Sequence, residues 1–286
     1  NFRELVESCQ LDRSSDLIFL GGGNMAGAVL RAAVKSGFAT HDNIVISVKS
    51  EESEKKWKNE GFTHVYRDNN EMLSKHTGVL FICVKPQFFY DVIRSITPHI
   101  DGISLIVSIM AGISTTQLAK TFGPLFISSL PPIVRLMPST PCLVGLSASL
   151  ICYNELPPNH RLSIVTGLAE KTGTYTILNE KQFNAGTAVA SSGPAFVYIL
   201  IEALADGGVL AGLPRKEAMA LAIQTFQGAA TMVEKMDKHP GALKDEVCSA
   251  GGTTIAGVRA LEKAGVRSAL IEAVKATVDR ADSMSG

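Results

Sequence analysis

Leu17-Ile18-Phe19-Leu20-Gly21-Gly22-Gly23-Asn24-Met25-Ala26 is the stretch on which the reading of this chain turns. Four consecutive apolar residues fit a strand covered on both faces. The three glycines fit a tight turn, and residues 24–36 carry a helical pattern. Strand, turn and helix together make a G-x-G-x-x-A fingerprint. Gly21 permits the turn, Gly23 lets backbone approach a pyrophosphate, and Ala26 lets helix and strand pack closely. The helix N-terminus then attracts the anion. The plain alternative is a glycine-rich loop at an ordinary strand-to-helix turn. A second strand at the expected distance favours a dinucleotide site.

Outward from this turn the alternation continues. Apolar runs at 43–48, 79–84, 105–109, 133–137, 147–153 and 174–178 predict further strands separated by helical patterns. Near-continuous apolar strands between helices indicate a mostly parallel, doubly wound α/β sheet. From Glu180 onward no strand is predicted. Residues 195–211, 215–236 and 254–284 are helical, punctuated at Gly212-Leu213-Pro214, His239-Pro240-Gly241 and Gly265. The change of period places a divide near Asn179. Residues 1–178 form a dinucleotide-binding domain and 179–286 an all-helical one, which agrees with the roughly two domains that 286 residues suggest.

Composition narrows the function. Lys+Arg and Asp+Glu both count 27 and no basic stripe is visible, so nucleic acid is not an expected partner. The apolar stretches 103–113 and 195–201 are too short or too interrupted to span a bilayer, and no membrane association is expected. Five cysteines without a CxxC pair suit a reducing compartment, the cytoplasm first and the mitochondrion second. The six histidines (His41, His64, His76, His99, His160 and His239) show no ligand spacing, so no metal site is predicted. No G-x-S-x-G elbow occurs.

The second strand ends Ile46-Ser47-Val48-Lys49-Ser50, where an NAD site would place a ribose-binding Asp or Glu. Hydroxyls and a lysine fit the 2′-phosphate of NADP instead, although Glu51 and Glu52 follow and Lys49 equally fits a solvated loop. Three more segments leave strand ends on the ligand side: Val84-Lys85-Pro86, Ala111-Gly112-Ile113-Ser114, and the run from Met137 to Pro141. Ser114 and Gln117 predict a capping box. In the helical half, Ser249-Ala250-Gly251-Gly252-Thr253-Thr254 opens a helix. Such an entrance presents N–H groups and hydroxyls to a small carboxylate, or serves as a plain N-cap.

With these residues in view the chain resembles the pyrroline-5-carboxylate reductases. The resemblance rests on the glycine turn with Asn24-Met25-Ala26, Val84-Lys85-Pro86, the segments 108–112 and 134–141, Ser192-Gly193-Pro194, and above all 239–245 followed by 249–257. It implies a Rossmann-type domain, then an all-α domain through which subunits dimerise, with dimers assembling into a larger ring such as a decamer. It also implies an active site that combines the cofactor of one subunit with the helical domain of its partner. The implied reaction is NADPH-dependent reduction of the cyclic imine 1-pyrroline-5-carboxylate to L-proline, with NADH as a second donor. The implied cofactor contacts are Leu20, Gly21, Gly22, Gly23, Asn24, Met25, Ser47, Asn69, Val84, Lys85, Pro86, Met110, Ala111 and Gly112, besides Lys49. The implied substrate contacts are Glu180, Ser249, Gly251, Gly252, Thr253 and Thr254, with Thr254 as the catalytic hydroxyl. Ala250 departs from the family, which usually has Pro there. A related reductase of a carbonyl or six-membered imine, and a non-enzymatic NADP-binding sensor, are the competing readings.

Overall fold

The computed structural model describes residues 1–98 and 100–285, so His99 lies outside the described residues. In chain order the elements are α1 (Phe2–Ser8), β1 (Asp16–Leu20), α2 (Asn24–Lys35), β2 (Ile44–Ser47), α3 (Glu51–Asn59), β3 (His64–Tyr66), α4 (Asn69–Lys75), β4 (Gly78–Ile82), α5 (Phe89–Arg94), β5 (Ile103–Ser108) and α6 (Thr115–Phe122). There follow β6 (Ile133–Met137), β7 (Ser147–Tyr153), α7 (Leu162–Thr172), β8 (Gly173–Ile177), α8 (Glu180–Ala190), α9 (Gly193–Leu210), α10 (Arg215–Met236), α11 (Pro240–Val247), α12 (Thr253–Lys263) and α13 (Val266–Ser285). The strands form one sheet in the order β3-β2-β1-β4-β5-β6-β7-β8.

Every neighbouring pair is parallel except β6 and β7, which run antiparallel with Arg135 opposite Cys152. Strand β3 is three residues long and joins the edge beside β2. All five residues of β1 are buried, as a strand covered on both faces requires. Alternate side chains feed two cores. Phe19 stacks on Phe81 at 4.6 Å between centroids on the face that also holds Trp57. Ile18 and Leu80 point to the other face with Phe89 and Phe122. Each such side chain contributes about 1.5–3 kcal/mol of burial.

The chain clusters into two units. The first is Asn1–Ser192 together with the last turns from Thr277, and the second is Gly193–Ala276. The period changes at Asn179, whereas the first unit continues through α8. The reason is Phe183, which is fully buried and packs with Met137, Leu150 and Cys152. Asn184 also donates to Asp282 at 2.8 Å.

In the second unit α9 and α10 pack through Ala205, Ala218 and Ala222. Much of its apolar surface is left open: Ile199 is 64 % exposed, Leu221 58 % and Leu210 92 %. The stretch Glu180–Leu210, 31 residues, is long and apolar enough to cross a membrane on length and composition alone, because α8 and α9 extend the run seen at 195–201 on both sides.

Candidate functional site

The strand order reverses between β1 and β4, and in doubly wound sheets ligands bind outside the carboxyl ends of the strands at that point. The turn after β1 lies there. Gly21 has φ +110°, and a Cβ on it would meet the Cys83 carbonyl and Val84 nitrogen at 3.1 Å. The backbone of the turn therefore runs hard against the end of β4. A Cβ on Gly22 would sit 2.6 Å from Trp57 Nε1, whose N–H donates to the Gly22 carbonyl at 3.2 Å. Gly23 caps α2 without any side-chain bond, no acid occupies the first turn, and a Cβ at Gly23 would find nothing within 4 Å. The helix thus offers unsatisfied N–H groups to open space, which suits an anion.

The cofactor residues expected from the sequence converge on this end of the sheet. Leu20 is buried, Gly21–Met25 form the turn and first residues of α2, and Lys49 follows β2. Ser47 Oγ donates to Asn69 Oδ1, which ties the end of β2 to the first residue of α4. Val84, Lys85 and Pro86 follow β4, with Pro86 opening a short 3-10 turn. Met110, Ala111 and Gly112 follow β5; Met110 is buried and Gly112 has φ +74°. Ser114 caps α6 in the predicted capping box with Gln117.

The residues expected at the substrate fall in different units. Ser249, Gly251, Gly252, Thr253 and Thr254 surround the start of α12 in the second unit. The Gly252 N–H donates to the Ser249 carbonyl at 3.0 Å, closing a turn with Gly251 at φ +66°. A Cβ on Gly252 would lie 2.3 Å from Ser249 Oγ, so the turn closes this tightly with glycine there. The helix N-cap is Gly252 itself, and no side chain bonds to the cap. The plain N-cap by Ser or Thr is therefore not what the chain builds. Among the described hydrogen bonds, the Ser249, Thr253 and Thr254 hydroxyls have no partner, and both threonines are exposed. His239 instead caps α11, its Nδ1 accepting from Gly241 at 3.0 Å.

Glu180 stands in the first unit with its carboxylate occupied. It pairs with Arg135 and accepts from Thr115 Oγ1 at 2.8 Å and Thr115 N at 3.3 Å. Arg135 is 3 % exposed and lies 4.1 Å from the Phe183 ring centroid. Burial pushes its guanidinium below the ordinary value, and Glu180 opposes that shift. Cys152 donates to Glu180 at 3.6 Å, and burial with the neighbouring carboxylate pushes its thiol up to about 11. Sequence reasoning gave Arg135 no role. The available signal was a lone charge inside the apolar strand run at 133–137, since a buried charge must be paired. Trp57 carried no comparable signal.

A family model described as pyrroline-5-carboxylate reductase dimerisation matches residues 180–284. A second, described as NADP oxidoreductase coenzyme F420-dependent, matches residues 16–112. The pyrroline-5-carboxylate reductase of Pisum sativum is 38 % identical over 275 residues, covering 96 % of this chain and 98 % of the pea sequence. The chain belongs to the pyrroline-5-carboxylate reductase family. The Escherichia coli reductase is 34 % identical, with 93 % of this chain and 97 % of that sequence covered. Among solved structures, the Plasmodium falciparum pyrroline carboxylate reductase with NADP bound superposes with a TM-score of 0.84 at 28 % identity, covering 95 % of this chain and 98 % of that one. Membership agrees with the doubly wound sheet followed by helices, and a dimerisation module agrees with the open apolar surface of the helical unit.

Proposed function

We propose that this protein reduces the C=N bond of 1-pyrroline-5-carboxylate to give L-proline, with NADPH as hydride donor. The observation that carries the reading is the α12 entrance: a helix start capped by glycine, with no side-chain cap bond and with hydroxyls that have no partner among the described residues, in a chain that also holds an open glycine turn at the sheet's switch point. A cyclic imine with one carboxylate needs such a pair of sites.

The turn at Gly21–Met25 holds the pyrophosphate against the α2 N-terminus. Ser47, Lys49 and Asn69 take the adenosine end, while Val84–Pro86 and Met110–Gly112 border the nicotinamide. When bound, NADPH supplies the hydride, which adds to the imine carbon as the C=N electron pair moves to nitrogen. Ser249, Gly251, Gly252 and Thr253 bind the substrate carboxylate at the helix start. The Thr254 hydroxyl donates to the ring nitrogen and passes it a proton that solvent replaces. Holding the imine by its carboxylate orients one face for transfer, and orientation of this kind supplies several kcal/mol of the barrier. The helical unit of a partner subunit brings the cradle to the cofactor, in dimers that assemble into a larger ring.

NADPH absorbance followed after addition of 1-pyrroline-5-carboxylate tests the reading, with NADH and the six-membered imine as comparisons. Thr254→Ala should lower turnover about 100-fold, the scale of losing one preorganised donor, with NADPH affinity unchanged. Absence of oxidation with any imine, or equal loss of turnover and NADPH affinity in the variant, overturns it.

A further inference from the structure

Beside the Ser47–Asn69 bond, a cavity of about 430 Å³ opens at the carboxyl ends of β2 and β3. Lys49, Arg67, Glu54, Asp68 and Glu71 all line it. Its acids are engaged elsewhere. Glu54 pairs with Lys58 at 2.6 Å and Glu71 with Lys75 at 2.7 Å. Asp68 caps α4 by accepting from Asn70 N at 2.8 Å and Glu71 N at 3.3 Å.

Its cations are not engaged in this way. Among the described residues, neither Lys49 nor Arg67 makes an ion pair or hydrogen bond. The recorded contact of Lys49 is with Phe88, its Nζ lying 5.9 Å from the ring centroid. Glu54 and Glu71 are each paired with a lysine, although Glu54 also feels Arg67, so the cavity keeps an excess of positive charge beside Asp68. That excess suits an anionic ligand group.

The backbone sets the two cations side by side. Ser47 is in register with Tyr66, and Val48 N donates to Tyr66 O at 2.9 Å. Lys49 and Arg67 therefore leave neighbouring strands, whose axes lie about 4.8 Å apart, at nearly the same height. Phe88 reaches the same place from the turn after β4, with 51 % of its surface exposed.

We propose that Arg67, together with Lys49, binds the 2′-phosphate of NADPH and so sets the preference for NADPH over NADH, with Phe88 positioning the Lys49 ammonium. This rests on the reading of the crevice as the nucleotide site. A guanidinium fork meets two phosphate oxygens at once, whereas an ammonium acts as a point charge. Arg67 therefore carries the selectivity and Lys49 adds to it. No Asp or Glu at the end of β2 competes for a free 2′-hydroxyl, since Ser47, Val48 and Lys49 stand there.

The test is calorimetric titration of the full chain and of Arg67→Gln, Arg67→Lys and Lys49→Gln with 2′,5′-ADP, 5′-ADP and inorganic phosphate. The ratio of kcat/KM for NADPH over NADH is measured alongside. Arg67→Gln should weaken 2′,5′-ADP about tenfold or more, the scale of one charge-assisted bond, and leave 5′-ADP unchanged. Arg67→Lys should recover part of the loss, and the kcat/KM ratio should fall with the 2′,5′-ADP affinity. Unchanged 2′,5′-ADP binding in Arg67→Gln, equal loss for both nucleotides, or inorganic phosphate binding as tightly as 2′,5′-ADP overturns the assignment while the crevice stands as a nucleotide site. A wild-type chain that binds neither nucleotide overturns both.

Discussion

Replacing Glu180 by Gln separates a structural carboxylate from one that binds substrate. The change keeps side-chain size and removes the charge opposite Arg135, a guanidinium 3 % exposed whose Nε and Nη2 have no partner among the described groups. Breaking a buried ion pair from one side costs about 3–5 kcal/mol, because the surviving charge stays buried. The Glu180 side chain keeps 31 % exposure, so water relieves part of this and the low end applies, about 3 kcal/mol. For a unit of this size each kcal/mol lowers the melting midpoint by about 2–4 °C, so a fall of about 6–12 °C is expected. The assay is thermal unfolding followed by far-UV circular dichroism, paired with KM for the imine. Arg135→Met with Glu180→Leu in one chain should regain most of the loss, since an apolar pair of similar volume replaces a buried ion pair at little cost. A midpoint within about 1 °C of wild type, together with a raised KM, would refute the reasoning and put the carboxylate on the substrate.

Two further outcomes follow from the same geometry. With its thiol pushed up to about 11, Cys152 stays neutral in the folded chain while the unfolded chain ionises it from about pH 9 upward. Stability is therefore fully present below that range and falls as pH rises through it; unfolding midpoints across that window should decline less steeply for Cys152→Ala than for wild type. Ala250 is the second residue of the turn closed by Gly252 and Ser249, the position where proline pre-sets φ, and its N–H makes no bond among those described. Ala250→Pro should stabilise the folded chain by about 0.4–1 kcal/mol through the unfolded state, read as a higher denaturant midpoint with unchanged m.

What was legible in the sequence were features fixed by local pattern. The four apolar residues of 17–20 and the glycines after them specify strand, turn and helix start without reference to any distant residue, and the run at 215–236 gives α10 to its ends. Strand β3 was missed because three residues carry no period, and it exists by pairing with β2 rather than by its own propensity. The reversal at β7 was not drawn from the sequence, although residues 138–146 are too few for the crossover that a parallel pair requires. The Arg135–Glu180 pair joins residues far apart in the chain, and the spacing of neither one announces the other. At α12 the pattern Gly251-Gly252-Thr253-Thr254 showed a helix start but not which residue would cap it. That depended on how tightly the Ser249 turn closes.

The helical unit also shows why oligomerisation belongs to the fold and is not an addition to it. Its fully buried hydrophobic residues among those described are Ala205, Ala218 and Ala222, with Ile201, Val209 and Met219 partly buried against them, which is a small core for the helices of residues 193–276. The missing apolar burial is present in sequence but faces outward, at Ile199, Leu210 and Leu221. Covering it with a second copy of the same surface supplies the missing burial, which is what a dimerisation module at residues 180–284 does. The hydroxyl-ringed entrance of α12 is therefore built on a unit whose stability depends on subunit concentration, so binding at that entrance and association of the chains are linked equilibria.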